Sequence, residues 1–192
     1  MIRRLPPVAT LLVLLAVAIM IRLGFWQIAR LHQKEALLTR YSAAVQQQAS
    51  VPWPTDPDTA RLSLYRHSQL LCMRVTGITA VSGRNAAGTP GWAHVAICNR
   101  AGGTTRVVLG WSTGPEPITW GGGNATGVIA PGDATGPRLV ADPPLAGLAA
   151  NAAPDPRDIP NNHFSYAVQW FLFAGTALVI YAIAVRKHLR KR

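Results

Sequence analysis

Two long apolar runs, one near each end of the chain, constrain its fold more than any other feature. Val8 to Ile21 reads VATLLVLLAVAIMI without a charge, and LGFWQIA carries the apolar character past Arg22. As a helix, Val8 to Ile28 would be ~31 Å long, about the hydrocarbon thickness of a bilayer. Phe164 to Val185, FSYAVQWFLFAGTALVIYAIAV, would make a second helix of ~33 Å. The runs predict one transmembrane helix over 8–28 and another over 163–185. Arg22, about a turn from Trp26, either snorkels to that interface or faces a partner helix. Arg3 and Arg4 before an apolar run also resemble a signal peptide, but no small-x-small cleavage site follows, and the bulky Phe25-Trp26 end suits an interfacial anchor.

The formal net charge of +11 would suggest nucleic acid in a soluble domain. Its placement excludes that reading. Arg3, Arg4, Arg22, Arg186, Lys187, Arg190, Lys191 and Arg192 flank or interrupt the apolar ends, and the eight acidic residues all lie in the middle, where basic residues nearly balance them. Positive charge beside a span holds that side in the cytoplasm. The expectation is a multi-pass protein of the bacterial inner membrane, with a cytoplasmic tail at each end (1–7 and 186–192) and its central domain in the periplasm.

The spacing of Leu31, Glu35, Leu38, Tyr41 and Val45 extends the first helix over 29–50, to about Gln48. Prolines in SVPWPTDPD then make Val51 to Asp58 a linker. From Ser68 onward, QLLCMRVTGITAV, WAHVAICN, TRVVLGWS, GVIA and RLVAD are short β-branched and apolar runs. They alternate with turn residues, while GGGNATG and PPLAGLAANAAPDPRD read as connectors. The series predicts an all-β, antiparallel domain, barrel- or sandwich-like, within 51–162.

Cys72 and Cys98 are the only cysteines. A hairpin with its tip near Asn85 would set Val75 opposite Val95 and Cys72 opposite Cys98, within reach of a disulfide in an oxidising compartment. Two buried hydrophobes or a copper or redox pair are the alternatives.

Catalytic signatures are absent: the chain has no CxxC, no HExxH, no phosphate-binding glycine loop and no GxSxG nucleophile in a strand-to-helix setting, since Gly110-Trp111-Ser112-Thr113-Gly114 fits the letters but runs into Pro115 and Pro117. An enzyme or a periplasmic sensor is therefore not expected. Two constellations remain, each where a span reaches the interface. On the first helix Trp26, Arg30 and Lys34 share a face with Gln27 alongside, an aromatic, an amide and two cations that suit either a carboxylate or lipid headgroups. On the second, Asn162 can cap the helix, while His163, Tyr166 and Trp170 share a face. There His163 is either a polar cap or a ligand to haem iron with aromatic side chains against the macrocycle.

These two segments resemble the ends of the Surfeit locus protein 1 family, assembly factors of haem-copper cytochrome c oxidase. A pattern like LGxWQxxRxxxK is filled by Leu23, Gly24, Trp26, Gln27, Arg30 and Lys34. A pattern like NxHxxYxxxW followed by an aromatic is filled by Asn161, His163, Tyr166, Trp170 and Phe171. Between them, Leu64-Tyr65-Arg66 is similar to the family's EYR-like strand entry, and Gly91-Trp92-Ala93-His94-Val95 to its glycine-aromatic-x-x-valine strand. Val107-Val108-Leu109-Gly110-Trp111 is similar to a VNRGW segment without its Asn and Arg.

The resemblance implies an assembly factor that binds haem a transiently at the periplasmic interface and assists its insertion into the oxidase catalytic subunit. Its partners would be that subunit, the haem a synthesis machinery and the membrane, with self-association left open. His163 becomes the axial ligand to the haem iron, with Trp26, Tyr166 and Trp170 packing the ring and Arg30, beside Gln27, neutralising a propionate. The alternative is a membrane-anchored scaffold that stabilises an oxidase intermediate without touching haem.

Overall fold

A computed structural model describes residues 7–133 and 136–190. The tail residues Arg3, Arg4, Lys191 and Arg192, to which an orientation was ascribed above, lie outside the described residues. The chain divides into two compact units. One comprises the ends, up to Leu37 and from Ile159 onward; the other comprises Leu38–Asp158.

The first unit is a helix pair. Helix α1 spans Pro7–Val45, ending slightly before the expected Gln48, and its stretch up to Leu37 belongs here. A 28-residue helix near the carboxyl end spans His163–Arg190. Both are long and apolar enough to cross a membrane, with peak mean hydropathies of 2.5 and 2.0. Only 11% and 6% of those stretches are buried, so they are not core helices of a soluble domain. Their apolar side chains, Leu11, Leu15, Leu172 and Ile180 among them, face outward. On α1 covered positions recur at alternating steps of three and four, Thr10, Val13, Val17, Met20, Gly24, Gln27, Leu31 and Lys34, with Leu23 and Ile28 covered beside them, the seam of a helix pair.

The second unit is a six-stranded sheet entered through a short helix. Helix α2 spans Pro57–Ser63, with Pro57 in its first turn and Asp56 as N-cap. The expected linker therefore ends early: Pro57 lacks an N–H that a first turn would leave unpaired, so it starts the helix rather than excluding one. Asp56 accepts from the Asp58 and Thr59 N–H groups at 3.0 Å and from the Thr59 hydroxyl at 2.6 Å. The Thr59 hydroxyl is the main cause holding its carboxyl below the usual 3.8. Such a cap is fully present above the ordinary carboxylate range and is lost as pH falls through the lowered folded value. An NMR titration should find Asp56 acidic in the native chain and shifted upward in Thr59→Val; an unchanged midpoint would contradict the assignment.

The strands are β1 His67–Cys72, β2 Arg74–Arg84, β3 Pro90–Arg100, β4 Gly103–Ser112, β5 Gly123–Asp133 and β6 Gly136–Ala141. They lie in the order β1-β5-β6-β4-β3-β2, antiparallel except for the β4–β6 pair. With them, α3 denotes the carboxyl-terminal helix. The sheet is single and open, which corrects the barrel or sandwich. The cause is local. The two edge strands are consecutive in the chain and meet end to end at Met73, whose N–H donates to the Asn99 carbonyl at 2.9 Å. Placed end to end, β1 and β2 offer each other no ladder, so closure stops at this corner.

The run GGGNATG, read above as a connector, partly forms β5. Gly127 lies so close to β6 that a Cβ would fall 2.0 Å from the Val140 carbonyl oxygen; glycine here permits strand pairing rather than breaking it. The β2–β3 hairpin also differs in register. Val75 faces Cys98 and Thr79 faces Val95, with a bulge between Val75 and Gly77. The turn follows Arg84↔Pro90 and runs over Asn85–Thr89, so its centre lies two residues later than expected. Cys72 and Cys98 form a disulfide nonetheless, with Cα atoms 5.5 Å apart. It joins the end of β1 to β3 inside the core, among Leu70, Ala96, Val107, Leu109, Ala125 and Leu139. The bridge thus holds a curled sheet, not neighbouring hairpin strands.

The motif-like segments of the middle are packing devices. Tyr65, buried at a positive φ of 65°, packs against Tyr41 with centroids 4.9 Å apart and the rings tilted by 46°. Burial raises its phenol pKa, with a smaller contribution from Tyr41. Arg66 donates to the Ala49 carbonyl at 3.1 Å. Gly91 lies under the Trp111 indole, where a Cβ would come within 2.4 Å of the ring. At the two positions where the family's Asn and Arg are missing stand Val108 and Leu109, both buried in apolar clusters.

Candidate functional site

In the helix pair, contacts rise along α1 as they descend along α3. The Thr10 and Tyr181 hydroxyls are hydrogen-bonded, Gly24 meets Phe171, and Gln27 meets His163. The helices are therefore antiparallel. Small side chains allow the approach: Ala167 and Ala174 are buried on α3, and Gly24 opens a hole for the Phe171 ring. A Cβ on Gly24 would lie 2.7 Å from Phe171 Cζ. Phe25 packs edge-on against the same ring at 5.4 Å.

At the far end of this seam, His163 opens α3. Asn162 immediately precedes it, and the Asn162 carbonyl accepts the first helical bond, from Tyr166 N–H at 3.2 Å. His163 Nδ1 lies 2.7 Å from Gln27 Oε1. Residues 136 positions apart are thus joined, one from each terminal motif. Asn161 Oδ1 is buried without a hydrogen-bond partner.

The other sequence-predicted residues surround this pair less closely. Trp26 is 53% exposed and Tyr166 50%, and neither makes a ring contact among the described residues. Trp170 is partly buried and packs edge-on against Phe173 at 6.2 Å. Arg30 is exposed and donates to Gln33 Oε1 at 2.9 Å. At about 100° per residue, Trp26 and Arg30 fall on the opposite side of Gln27 from Phe25. Tyr166 and Trp170 likewise fall on the opposite side of α3 from Phe171. In an antiparallel pair these flanks coincide, so three aromatic side chains and a cation share one outer flank beside His163.

Among the described residues there is no group of three or more His, Cys, Asp or Glu side chains able to hold a metal ion. A lone imidazole suits a ligand that brings the rest of its coordination with it, as a haem brings four nitrogens. The donor set therefore fits a haem: one imidazole, a flat aromatic flank, and an arginine able to meet a propionate.

The sequence model described as the SURF1 family matches residues 14–175, a span that takes in both terminal motifs and the whole sheet. The chain belongs to the SURF1 family. Comparison with curated proteins returns no match. The SURF1 family is one of cytochrome oxidase assembly factors rather than an enzyme class.

Gly24 and Phe171, two positions that fit the SURF1 terminal patterns, act here as hole and knob of the helix seam. Sequence reasoning missed this, because the three-four recurrence from Thr10 to Lys34 is one of burial and leaves no trace in residue type within so apolar a run. Gly24→Val should overpack the seam and destabilise the pair by about 1–3 kcal/mol. Phe171→Ala in the same chain should relieve much of that cost. Thermal unfolding in detergent, followed by α-helical circular dichroism, measures both. Equal losses in the single and double variants would show that the two side chains do not share the seam.

Proposed function

We propose that this protein assists assembly of haem-copper cytochrome c oxidase by binding haem a, its cargo, at the periplasmic membrane interface and passing it to the catalytic subunit. The observation that carries this reading is the meeting of the two terminal motifs at His163 and Gln27, 2.7 Å apart. His163 supplies the single protein ligand to the iron. Trp26, Tyr166 and Trp170 provide flat apolar surface for the macrocycle, and Arg30 offers a charged partner to a propionate. Single ligation on an open flank suits a carrier, because release breaks only one coordinate bond.

The same reading makes the protein a resident of the bacterial inner membrane with both termini in the cytoplasm and the sheet unit in the periplasm. Antiparallel spans support the shared side of the termini, and basic residues after Val185 support its being cytoplasmic. The Cys72–Cys98 disulfide supports an oxidising compartment for the sheet unit. The catalytic subunit and the machinery that synthesises haem a are the partners this role requires.

One observation favours a second reading, a scaffold that binds no haem. A side-chain bond between two spans also serves as a structural link, typically contributing about 0.6–2 kcal/mol, and the His163–Gln27 contact fits that description. The two readings separate in cells lacking this protein, where haem a in the purified catalytic subunit is measured after complementation. Delivery predicts restoration by the native chain and not by His163→Ala at equal membrane abundance. Full restoration by His163→Ala would favour the scaffold.

A further inference from the structure

The His163–Gln27 contact fixes more than position. An imidazole with one proton donates from one ring nitrogen and accepts at the other. The atom facing Nδ1 is the Gln27 amide oxygen, at 2.7 Å, and an amide oxygen only accepts. Such a neighbour favours the tautomer with its proton on Nδ1, which leaves Nε2 its lone pair. Without a neighbour to choose, a neutral histidine favours the reverse arrangement. Both residues are partly covered in the seam, so water competes poorly for this bond. Gln27 also sits on α1, so the ring is held against rotation by a group from the other helix of the pair.

We infer that Gln27 is a positioning residue for His163: its amide oxygen keeps the ring proton on Nδ1 and so presents an unprotonated Nε2 to the iron. Placement of the proton stands on the geometry alone; the ligating role of Nε2 rests on the haem-binding reading above. Hydrogen-bonded partners of ligating histidines set the tautomer, orient the ring and raise its basicity, and their loss typically costs about 10–100-fold in metal affinity. Sequence reasoning placed Gln27 on the cofactor-binding face as an amide near a carboxylate. The structure turns that amide toward the ligand instead.

The test uses the full-length chain in lipid nanodiscs with 15N-labelled histidine, at a pH where the imidazoles are neutral. His163→Ala assigns the signal among the five histidines. The native chain should show protonated Nδ1 and unprotonated Nε2. Gln27→Leu should move the proton to Nε2 and weaken haem a binding by about 10–100-fold. Gln27→Glu keeps an acceptor oxygen, so it should retain both the proton on Nδ1 and binding within a few-fold of native. This second variant guards against simple loss of helix pairing.

A native chain carrying the proton on Nε2 would overturn the inference, because that nitrogen would then be unable to ligate. So would a Gln27→Leu variant with native tautomer and affinity, while leaving haem binding itself intact. A native chain with the proton on Nδ1 that takes up no haem a would instead overturn the haem reading, and the ligating half of the inference with it.

Discussion

Replacing Cys72 and Cys98 together by alanine should lower the stability of the sheet unit by about 3.5 kcal/mol, the chain-entropy value for a loop of this length. The bridged residues are 26 apart in sequence. Both are almost fully buried, at 2% and 0% exposure, so the variant also loses sulfur packing inside the apolar cluster. A melting temperature lower by on the order of 10 °C is expected for a unit of this size. The effect should be large because of where the bridge lies. Strands β1 and β3 are not neighbours in the sheet: β5, β6 and β4 stand between them. The disulfide supplies a cross-link that the open edge does not. Thermal unfolding of the full chain, followed by near-ultraviolet circular dichroism with and without reductant, measures it. A reduced protein and a double variant that both melt with the native chain would show that the curl of the sheet holds without the bond.

This bond also shows what the sequence could and could not say about the fold. Runs of β-branched residues marked out the strands, and the two apolar ends marked out the helices, because burial of whole faces leaves a periodic trace. Strand order leaves no such trace. QLLCMRVTGITAV reads as one run, yet it bends at Met73 and serves both edges of the sheet. A simple hairpin count placed Cys72 opposite Cys98. The bulge between Val75 and Gly77 and the later turn shift that register, and the cysteines meet through the curl of the sheet instead. Asp56 and Pro57 look like linker residues by composition and are a helix cap and a first turn.

Replacing His163 by alanine should abolish retention of haem a through purification and weaken its binding by more than about 100-fold, the upper end of what a lost supporting residue costs. The reason is the donor count. Among the described residues beside the aromatic flank, His163 is the one side chain to which the proposal gives ligation, so its loss would leave contacts to the ring face and to Arg30 alone. Exogenous imidazole should restore part of the binding by occupying the vacated place. His32→Ala is the matched control, because that histidine is exposed on α1 outside the seam and should leave binding unchanged. Equal binding by the His163→Ala and native chains would remove the ligand from this account.

The candidate site was legible as residues and not as geometry. Both motifs stood out because their gapped patterns resemble those of a known family, whereas aromatic and cationic residues at the end of a span are by themselves an ordinary interfacial belt. Their juxtaposition is a property of helix pairing. It depends on Gly24 admitting Phe171 and on Ala167 and Ala174 lying flat, small residues that composition alone makes unremarked. Arg30 donates to Gln33 within its own helix. That bond is exposed, and an exposed contact of this kind exchanges readily for a stronger carboxylate partner.

The central claim is that a histidine at the mouth of the helix pair holds haem iron. Its most direct test is the resonance Raman spectrum, with the haem-to-protein ratio, of the full-length protein purified from cells that make haem a. The account predicts about one haem a per chain and an iron–histidine stretching mode that is absent from His163→Ala. A native protein that purifies without haem, or a bound haem whose iron–ligand mode persists in His163→Ala, would contradict it.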